Sequence, residues 1–402
     1  MTAPHTPPTG RLVAFVGAYG SPTDPTAGGI TTLDVTWDGG KLTPVHRVAE
    51  PREAGYLVYA PGTRTLYAVD ERKTDGRGPV EPPAAVHALT VSQRDGSLTP
   101  LNSLTAPGPR PTFLALDEQR GVLVTANHGD FDHVEHVVRA EDGTWRTEYL
   151  YDDSTVLLYR LADDGRLAEL RDVRVLEGHG KDPNFSPQAG GHGQSGPHAH
   201  CAVIDPTGRF VLVADKGTDR ILVHTLGDSL ELVHTYQLPP ETGPRHIAFA
   251  PAGDRAYITY EFASEVASWA FDPSTGELRE LSAVSTLPDG YTGPNEPAEI
   301  RVHPNGGSVY VNNRGEDTLV WFRAALDGAL TRTGHVPLAP SIHPGLAARS
   351  FAFDPTGTFL LAADRPACLV RSYAVGGEGA LTPLTETAVT EPAFIEFAVL
   401  PD

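Results

Sequence analysis

Short apolar runs of about five to seven residues, rich in Val, Ile, Tyr, Phe and Thr, recur along the whole chain between clusters of Gly, Pro, Asp and Asn. Runs of that length and punctuation are expected to be β-strands joined by tight turns. No segment of about 12 residues carries a convincing 3.6-residue apolar period, so little helix is expected.

The runs group into a repeat: an apolar run, a turn of the form D-P-x-G, a second run ending in small or polar residues, a loop and a third run. Clear copies begin at His198 (HAHCAVIDPTGRFVLVADKGTDRILVHTL), Pro244 (PRHIAFAPAGDRAYITYEFASEVASWAF), Ala298 (AEIRVHPNGGSVYVNNRGEDTLVWFR) and Arg349 (RSFAFDPTGTFLLAADRPACLVRSYAV). Their turn glycines, Gly208, Gly253, Gly306 and Gly357, lie 45 to 53 residues apart, the period of four-stranded propeller blades. Weaker copies begin at Gly55 and Thr112. A fourth short run closes each unit and occurs seven times (LTPVHRV, LTPLNSL, LAELRDV, LELVHTY, LRELSAV, LTRTGHV, LTPLTET).

The reading is therefore an all-β chain over residues 1–402, folded as a single seven-bladed β-propeller. LVAFVGAYG near the start lacks an inner strand, and FIEFAVL at the end has no blade to follow it. Pairing these terminal strands in one blade closes the ring and removes an exposed edge. The alternative is an open β-sandwich array. Polar insertions near 128–148 and 177–196 break the repeat. The second, with GHGKDPNFSPQAGGHGQSGPHAH, has no strand character; a covering loop near the site is the expectation, plain disorder the alternative.

Charge and composition narrow the function classes. A net charge of −20 disfavours a sequence-independent nucleic-acid binder, which needs a basic stripe, but allows a local basic pocket for a small ligand. The two cysteines, Cys201 and Cys368, fit a reducing compartment better than a disulfide framework and are expected to be buried small hydrophobes. With no apolar leader in MTAPHTPPTGR and no long unbroken apolar stretch, the expectation is a cytoplasmic protein without a membrane partner. The two GHG tripeptides lack the strand-to-helix setting of a phosphate-binding loop, and there is no G-x-S-x-G elbow.

Candidate chemistry collects at equivalent places in consecutive repeats. The repeat starts carry His198 and His200, Arg245 and His246, and Glu299 and Arg301; the ends of the second runs carry Asp215 and Lys216, Glu261, and Asn313 and Arg314. Corresponding positions of adjacent blades meet around the axis. His198 and His200 at i and i+2 share a strand face and could shuttle a proton, stabilise an oxyanion, chelate a metal, or bond neighbouring backbone. No carboxylate or cysteine completes a metal-ligand spacing. Arg245 and Glu261 lie within one hairpin's reach. The arginine could hold a carboxylate or phosphate and the glutamate could activate water, or the two could form a structural ion pair. His246, Lys216, Arg301 and Arg314 are candidates for binding substrate.

These stretches resemble the lactonase seven-bladed propellers, which include propeller-type 6-phosphogluconolactonases and carboxy-cis,cis-muconate cyclases. The resemblance rests on GAYG near Gly17, GPHAH with DPTGRFVLVADKGTDRI, GPRHIAFAPAGDRAYITYE, EIRVHPNGGSVYVNNRGEDT and SFAFDPTGTFLLAAD, and is closest from Gly196 to Asp364. It implies a cofactor-free propeller acting on lactones or on acids that cyclise to them. The family's histidine looks like His198 or His200, its arginine and glutamate like Arg245 and Glu261, and its second arginine like Arg314, with Arg301 as the alternative. ARSF and ADRPACL replace the family's more usual PRNF and ANQN-like run, which bears on substrate more than on fold. The implied reaction is hydrolysis of an anionic sugar-acid lactone, 6-phosphogluconolactone to 6-phosphogluconate. Glu261 would activate water, although a neighbouring arginine would weaken it as a base. The alternatives are a muconate-type lactonising cyclase and a non-catalytic binding platform.

Overall fold

In a computed structural model the described residues are 9–21, 24, 27–73, 83–187 and 190–401. They form thirty strands, numbered β1 to β30 in chain order. Seven four-stranded antiparallel sheets account for all but one hairpin. The first strands of successive blades are β4 (Leu57–Ala60), β8 (Pro111–Asp117), β14 (Ala199–Ile204), β18 (Pro244–Phe249), β22 (Glu296–Val302), β26 (Ser350–Phe353) and β30 (Pro392–Leu400). Each touches the next, and β30 touches β4, so they line a closed ring around a central channel.

The closing blade has the order β3-β2-β1-β30, built from β1 (Arg11–Ala18), β2 (Gly29–Val35), β3 (Leu42–Val48) and the C-terminal strand. Arg11 pairs with Leu400 and Gly17 with Phe394. Terminal strand pairing thus closes the ring as the sequence predicts, leaving no seam with an open edge.

The second strands are β1, β5 (Thr65–Asp70), β9 (Val122–Asn127), β15 (Phe210–Asp215), β19 (Arg255–Tyr260), β23 (Ser308–Arg314) and β27 (Phe359–Asp364). They are buried almost throughout, being covered on both faces by adjacent blades. Outer strands alternate, as in β17 (Leu230–Gln237), because one face meets water. The D-P-T-G turns have a specific cause. Asp205 accepts backbone N–H groups from Thr207 at 2.9 Å and from Arg209 and Phe210 at 2.7 Å, while Gly208 takes φ +67°. Asp354 repeats the arrangement, a side-chain-stabilised turn needing aspartate first and glycine last.

Two expectations need correction. Residues 133–139 and 145–151, expected within a polar loop, form an exposed hairpin, β10 (His133–Arg139) with β11 (Trp145–Tyr151). Neither strand shows the alternation of a half-buried strand, because both faces of the hairpin are largely exposed. Cys201 is buried, but Cys368 is only partly so; it occupies a turn at φ +53° rather than the core. No helix of the described residues is long and apolar enough to cross a membrane.

Candidate active site

At one end of the channel the inner strands depart from regular pairing. The register shifts between Pro111 and Phe113, Ala199 and Cys201, Pro244 and Ile247, and Pro297 and Ile300. Such bulges re-aim side chains that a regular ladder would hold in alternation. Thr112, His200, Arg245, His246 and Glu299 consequently surround the channel neck. The residue at the end of each second strand faces the same end: Tyr19, Glu71, His128, Lys216, Glu261 and Arg365 immediately follow theirs, and Arg314, the last residue of β23, holds the equivalent place. One position per blade, repeated seven times, thus supplies an ionisable group from every blade.

Those groups form two clusters. One is a buried ionic knot around Glu261, which has no exposed surface. Lys216 Nζ donates to Glu261 Oε1 at 2.7 Å, and Arg245 Nε and Arg314 Nη2 lie 2.7 and 3.0 Å from Oε2. The two arginines approach off the ideal hydrogen-bond line, so their contacts are chiefly ionic. Arg314 also reaches Glu296, through Nη2 to Oε2 at 3.2 Å and through Nε to the carbonyl at 3.0 Å. Burial alone would raise the Glu261 pKa, but Lys216, Arg314 and Arg245 together hold it at about 2. Burial, with Arg314 alongside, pulls Arg245 down to about 9, still a cation at neutral pH. Two residues of the insertion reach the knot: Ser186 Oγ donates to Glu296 at 3.1 Å and Gln194 Nε2 to the Lys216 carbonyl at 3.0 Å.

The other is an open cleft of about 390 Å³ beside the knot, with Lys216 shared between them. Its wall includes His128, His200, Lys216, Thr112, Tyr19, Glu71, Asp130, Arg110, Arg349 and Arg365. Tyr19 donates to Glu71 at 2.7 Å, and Arg349 hydrogen-bonds the Tyr19 hydroxyl. Arg365 stacks over the Tyr19 ring at 4.8 Å. Arg110 meets Asp130 through Nε and Nη2 at 3.1 and 3.0 Å. Beside them, four histidines pack together. His128 and His198 stack at 4.5 Å, and His200 lies 5.5 Å from His128 and 5.0 Å from His246. Burial, before any other cause, lowers the pKa of all four, to about 4 for His198 and His246, so they are neutral at pH 7.

The family model for the lactonase, 7-bladed beta-propeller matches residues 15–397. The chain belongs to that family. A 6-phosphogluconolactonase of Bacillus subtilis is 28% identical over 355 residues, covering 88% of this chain and 89% of that one. A 6-phosphogluconolactonase of Pectobacterium carotovorum is 28% identical over 87% of this chain and 89% of its own length. A Lactobacillus plantarum protein of solved structure superposes with TM-score 0.79 at 26% identity, covering 96% of this chain and 99% of that one. The periplasmic gluconolactonase of Pseudomonas aeruginosa does so with TM-score 0.80 over 97% of this chain and 100% of its own; at 23% identity that likeness concerns the fold alone.

Within this lactonase-family propeller the residues singled out by sequence separate. Glu261, Arg245, Arg314 and Lys216 meet in the knot, of which only Lys216 also lines the cleft. His200 lines the cleft, and His246 lies in the neck. His198 is turned aside, its Nδ1 donating to the His128 carbonyl at 2.9 Å. The expectation that His198 and His200 share a strand face fails in detail: His198 precedes β14, and the bulge intervenes. Arg301 stands apart, one step down the inner strand, in a second chamber of about 410 Å³ at the opposite mouth. There it lies 3.4 Å from Glu299 and stacks over Phe394, so a role in binding substrate at the cleft does not fit its position. Among the described residues, no group of three or more His, Cys, Asp or Glu side chains is arranged to hold a metal ion.

Sequence reasoning missed Tyr19, Glu71, His128, Arg349 and Arg365. A signal was present for Arg349. It stands five residues before Asp354, as His200 stands before Asp205 and Arg245 before Ala250.

Proposed function

We propose that this protein hydrolyses the lactone of an anionic sugar acid, with 6-phosphogluconolactone as the first substrate to test. The observation that carries the proposal is the cleft itself. A neutral histidine, His200, stands in a wall with Lys216 and the guanidinium groups of Arg110, Arg349 and Arg365. Family membership and the names of the curated relatives support the same reading.

In this account the arginines hold the substrate's phosphate or carboxylate end, where a planar guanidinium offers paired donors. His200 Nε2 takes a proton from water as its oxygen attacks the lactone carbonyl. The ring C–O bond then breaks, and the proton passes from His200 to the departing ring oxygen, leaving hydroxyl and acid. Lys216 has donors to spare after its bond to Glu261 and faces the oxyanion; a fixed donor there contributes roughly 3 to 4 kcal/mol. His128 also lines the cleft, but its Nδ1 bonds only the Gly129 carbonyl at 3.0 Å. A neutral carbonyl supports an imidazolium less than a carboxylate does.

Glu261 is assigned a positioning role. A carboxylate held near pKa 2 with both oxygens committed is a poor proton acceptor. It instead keeps buried Lys216 charged against the desolvation that lowers that amine's pKa. The test is pH-indicator hydrolysis of freshly generated 6-phosphogluconolactone and of unphosphorylated gluconolactone, with spontaneous opening subtracted. Acceleration of the phosphorylated lactone is the expected result. No acceleration of either would overturn lactone hydrolysis and move attention to cyclisation or binding without chemistry.

A further inference from the structure

Two of the buried histidines, His200 in the cleft wall and His246 in the neck, form a hydrogen-bonded chain to a carboxylate. His246 Nδ1 lies 3.4 Å from Glu299 Oε1, and His246 Nε2 lies 3.2 Å from His200 Nδ1. Burial would raise the Glu299 pKa, yet Arg301 and His246 hold it below the usual carboxylate range. Glu299 is therefore an acceptor only, which places the His246 proton on Nδ1. A neutral imidazole has one proton, so His246 Nε2 can only accept. The contact to His200 then requires the His200 proton on Nδ1.

We infer that Glu299 and His246 are positioning residues that fix the tautomer of His200 and leave its Nε2 bare toward the cleft. His200 Nε2 has no protein hydrogen-bond partner among the described residues, and it is not a sealed atom. The opposite tautomer of His246 would aim a lone pair at the Glu299 carboxylate and turn His200 into a donor, useless for accepting a proton from water.

The surroundings hold the chain of bonds in register. Thr112 Oγ1 donates to the His200 carbonyl at 3.2 Å. The ring of Phe113 meets His246 edge-on at 5.3 Å. The Glu299 amide donates to Asn312 Oδ1 at 2.8 Å. The charged and titratable groups facing the two imidazoles are Arg245 from β18, Lys216 after β15, His128 after β9, Glu299 and Arg301 from β22, and Tyr56, whose ring meets His246 edge-on at 6.5 Å just before β4; Tyr19, Glu71 and Arg349 line the neck around them. Arg245, Lys216 and Arg301 oppose a positive charge on the pair. Glu299 favours one and stands at the end of the hydrogen-bonded chain. This also gives Arg301 a place: it balances Glu299 from the opposite chamber.

The use of His200 as a base rests on the proposed lactone opening, but its tautomer does not. The full-length, ligand-free protein labelled with 15N-histidine would be examined by long-range proton–nitrogen correlation near pH 7.5, with His200→Gln and His246→Gln assigning the signals. Both residues are expected as Nδ1–H tautomers. Finding either as Nε2–H overturns the inference, whatever the substrate. The kinetic arm uses Glu299→Gln. Loss of the carboxylate behind a metal-bound histidine typically lowers activity by about 10- to 100-fold; by analogy a loss of that order is expected here in kcat, with KM within about twofold. Removing the carboxylate also destabilises imidazolium, so the acid limb of the pH–rate profile should move to lower pH, with Glu299→Asp restoring part of the rate. An unchanged kcat and acid limb in Glu299→Gln would overturn the positioning role.

Discussion

Two buried carboxylates one blade apart are handled in opposite ways. Glu261 is enclosed by Lys216, Arg245 and Arg314, and nothing of it is left to meet a ligand. Glu299 has Arg301 on one side and a chain of two neutral imidazoles on the other, which carries its influence to a bare nitrogen in the cleft. The difference lies in the partners. Fixed cations close an electrostatic knot, whereas histidines can relay a preference for one proton position. The residue type that suggests a general base is thus poorly suited to the role where it is best neutralised.

The comparison can be broken most forcefully at Glu261. Glu261→Gln leaves three buried cations around a neutral amide, and removing one partner from such a cluster typically costs about 3 to 5 kcal/mol. Denaturant unfolding should show a loss of that order, with any activity change following the folded fraction and the Lys216 charge. The acid response has the same origin. Because the folded pKa of Glu261 is depressed from 4.5 to about 2, its stabilisation is present above the unfolded value. It is lost as pH falls from 4.5 toward 2. Glu261→Gln should therefore flatten the acid limb of the stability profile, measured by thermal melts across that range.

His200→Gln should have the reverse character. Loss of a general base lowers rate by about 10² to 10⁴-fold, while the lost hydrogen bond to His246 costs only about 1 kcal/mol of stability. Steady-state kinetics alongside a melting curve separates the two. His128→Gln sharpens the choice of base and is expected to cost no more than about tenfold in kcat, below the range for a general base. Arg349→Gln should chiefly raise KM, by about tenfold or roughly 1.4 kcal/mol, since a charge-assisted contact to the anionic end is lost. A change in kcat alone would move Arg349 from binding to chemistry. Smallest of all, Trp145→Ser on the exposed hairpin, where the side chain is 70% exposed, should shift stability by no more than about 0.5 kcal/mol.

Much of the fold was legible because each blade repeats the same local solution: aspartate and glycine in one turn, apolar residues between blades, and a small polar break where the chain turns at the channel. The closure was legible from the unmatched strands at the two ends. The site was legible only where the repeats are clean. Lys216, Glu261 and Arg314 stand out because each lies at the end of a well-marked second strand. Tyr19, Glu71 and His128 occupy the same place after β1, β5 and β9, but there GAYG lacks its inner strand and the early repeats are interrupted. Arg301 was misplaced for a different reason. It shares a strand with Glu299, but only the bulge and the depth along the channel determine which mouth it faces. Neither the geometry of that bulge nor the saturation of Glu261 can be seen in residue spacing.

The most direct measurement compares His200→Gln with Glu261→Gln in the hydrolysis of freshly generated 6-phosphogluconolactone, with rates expressed per folded molecule and spontaneous opening subtracted. The account expects clear acceleration by the wild-type protein, near-background rates for folded His200→Gln, and measurable turnover by whatever fraction of Glu261→Gln is folded. Full activity in His200→Gln, or complete loss in a fully folded Glu261→Gln with a charged Lys216, would contradict it and return the base to the glutamate.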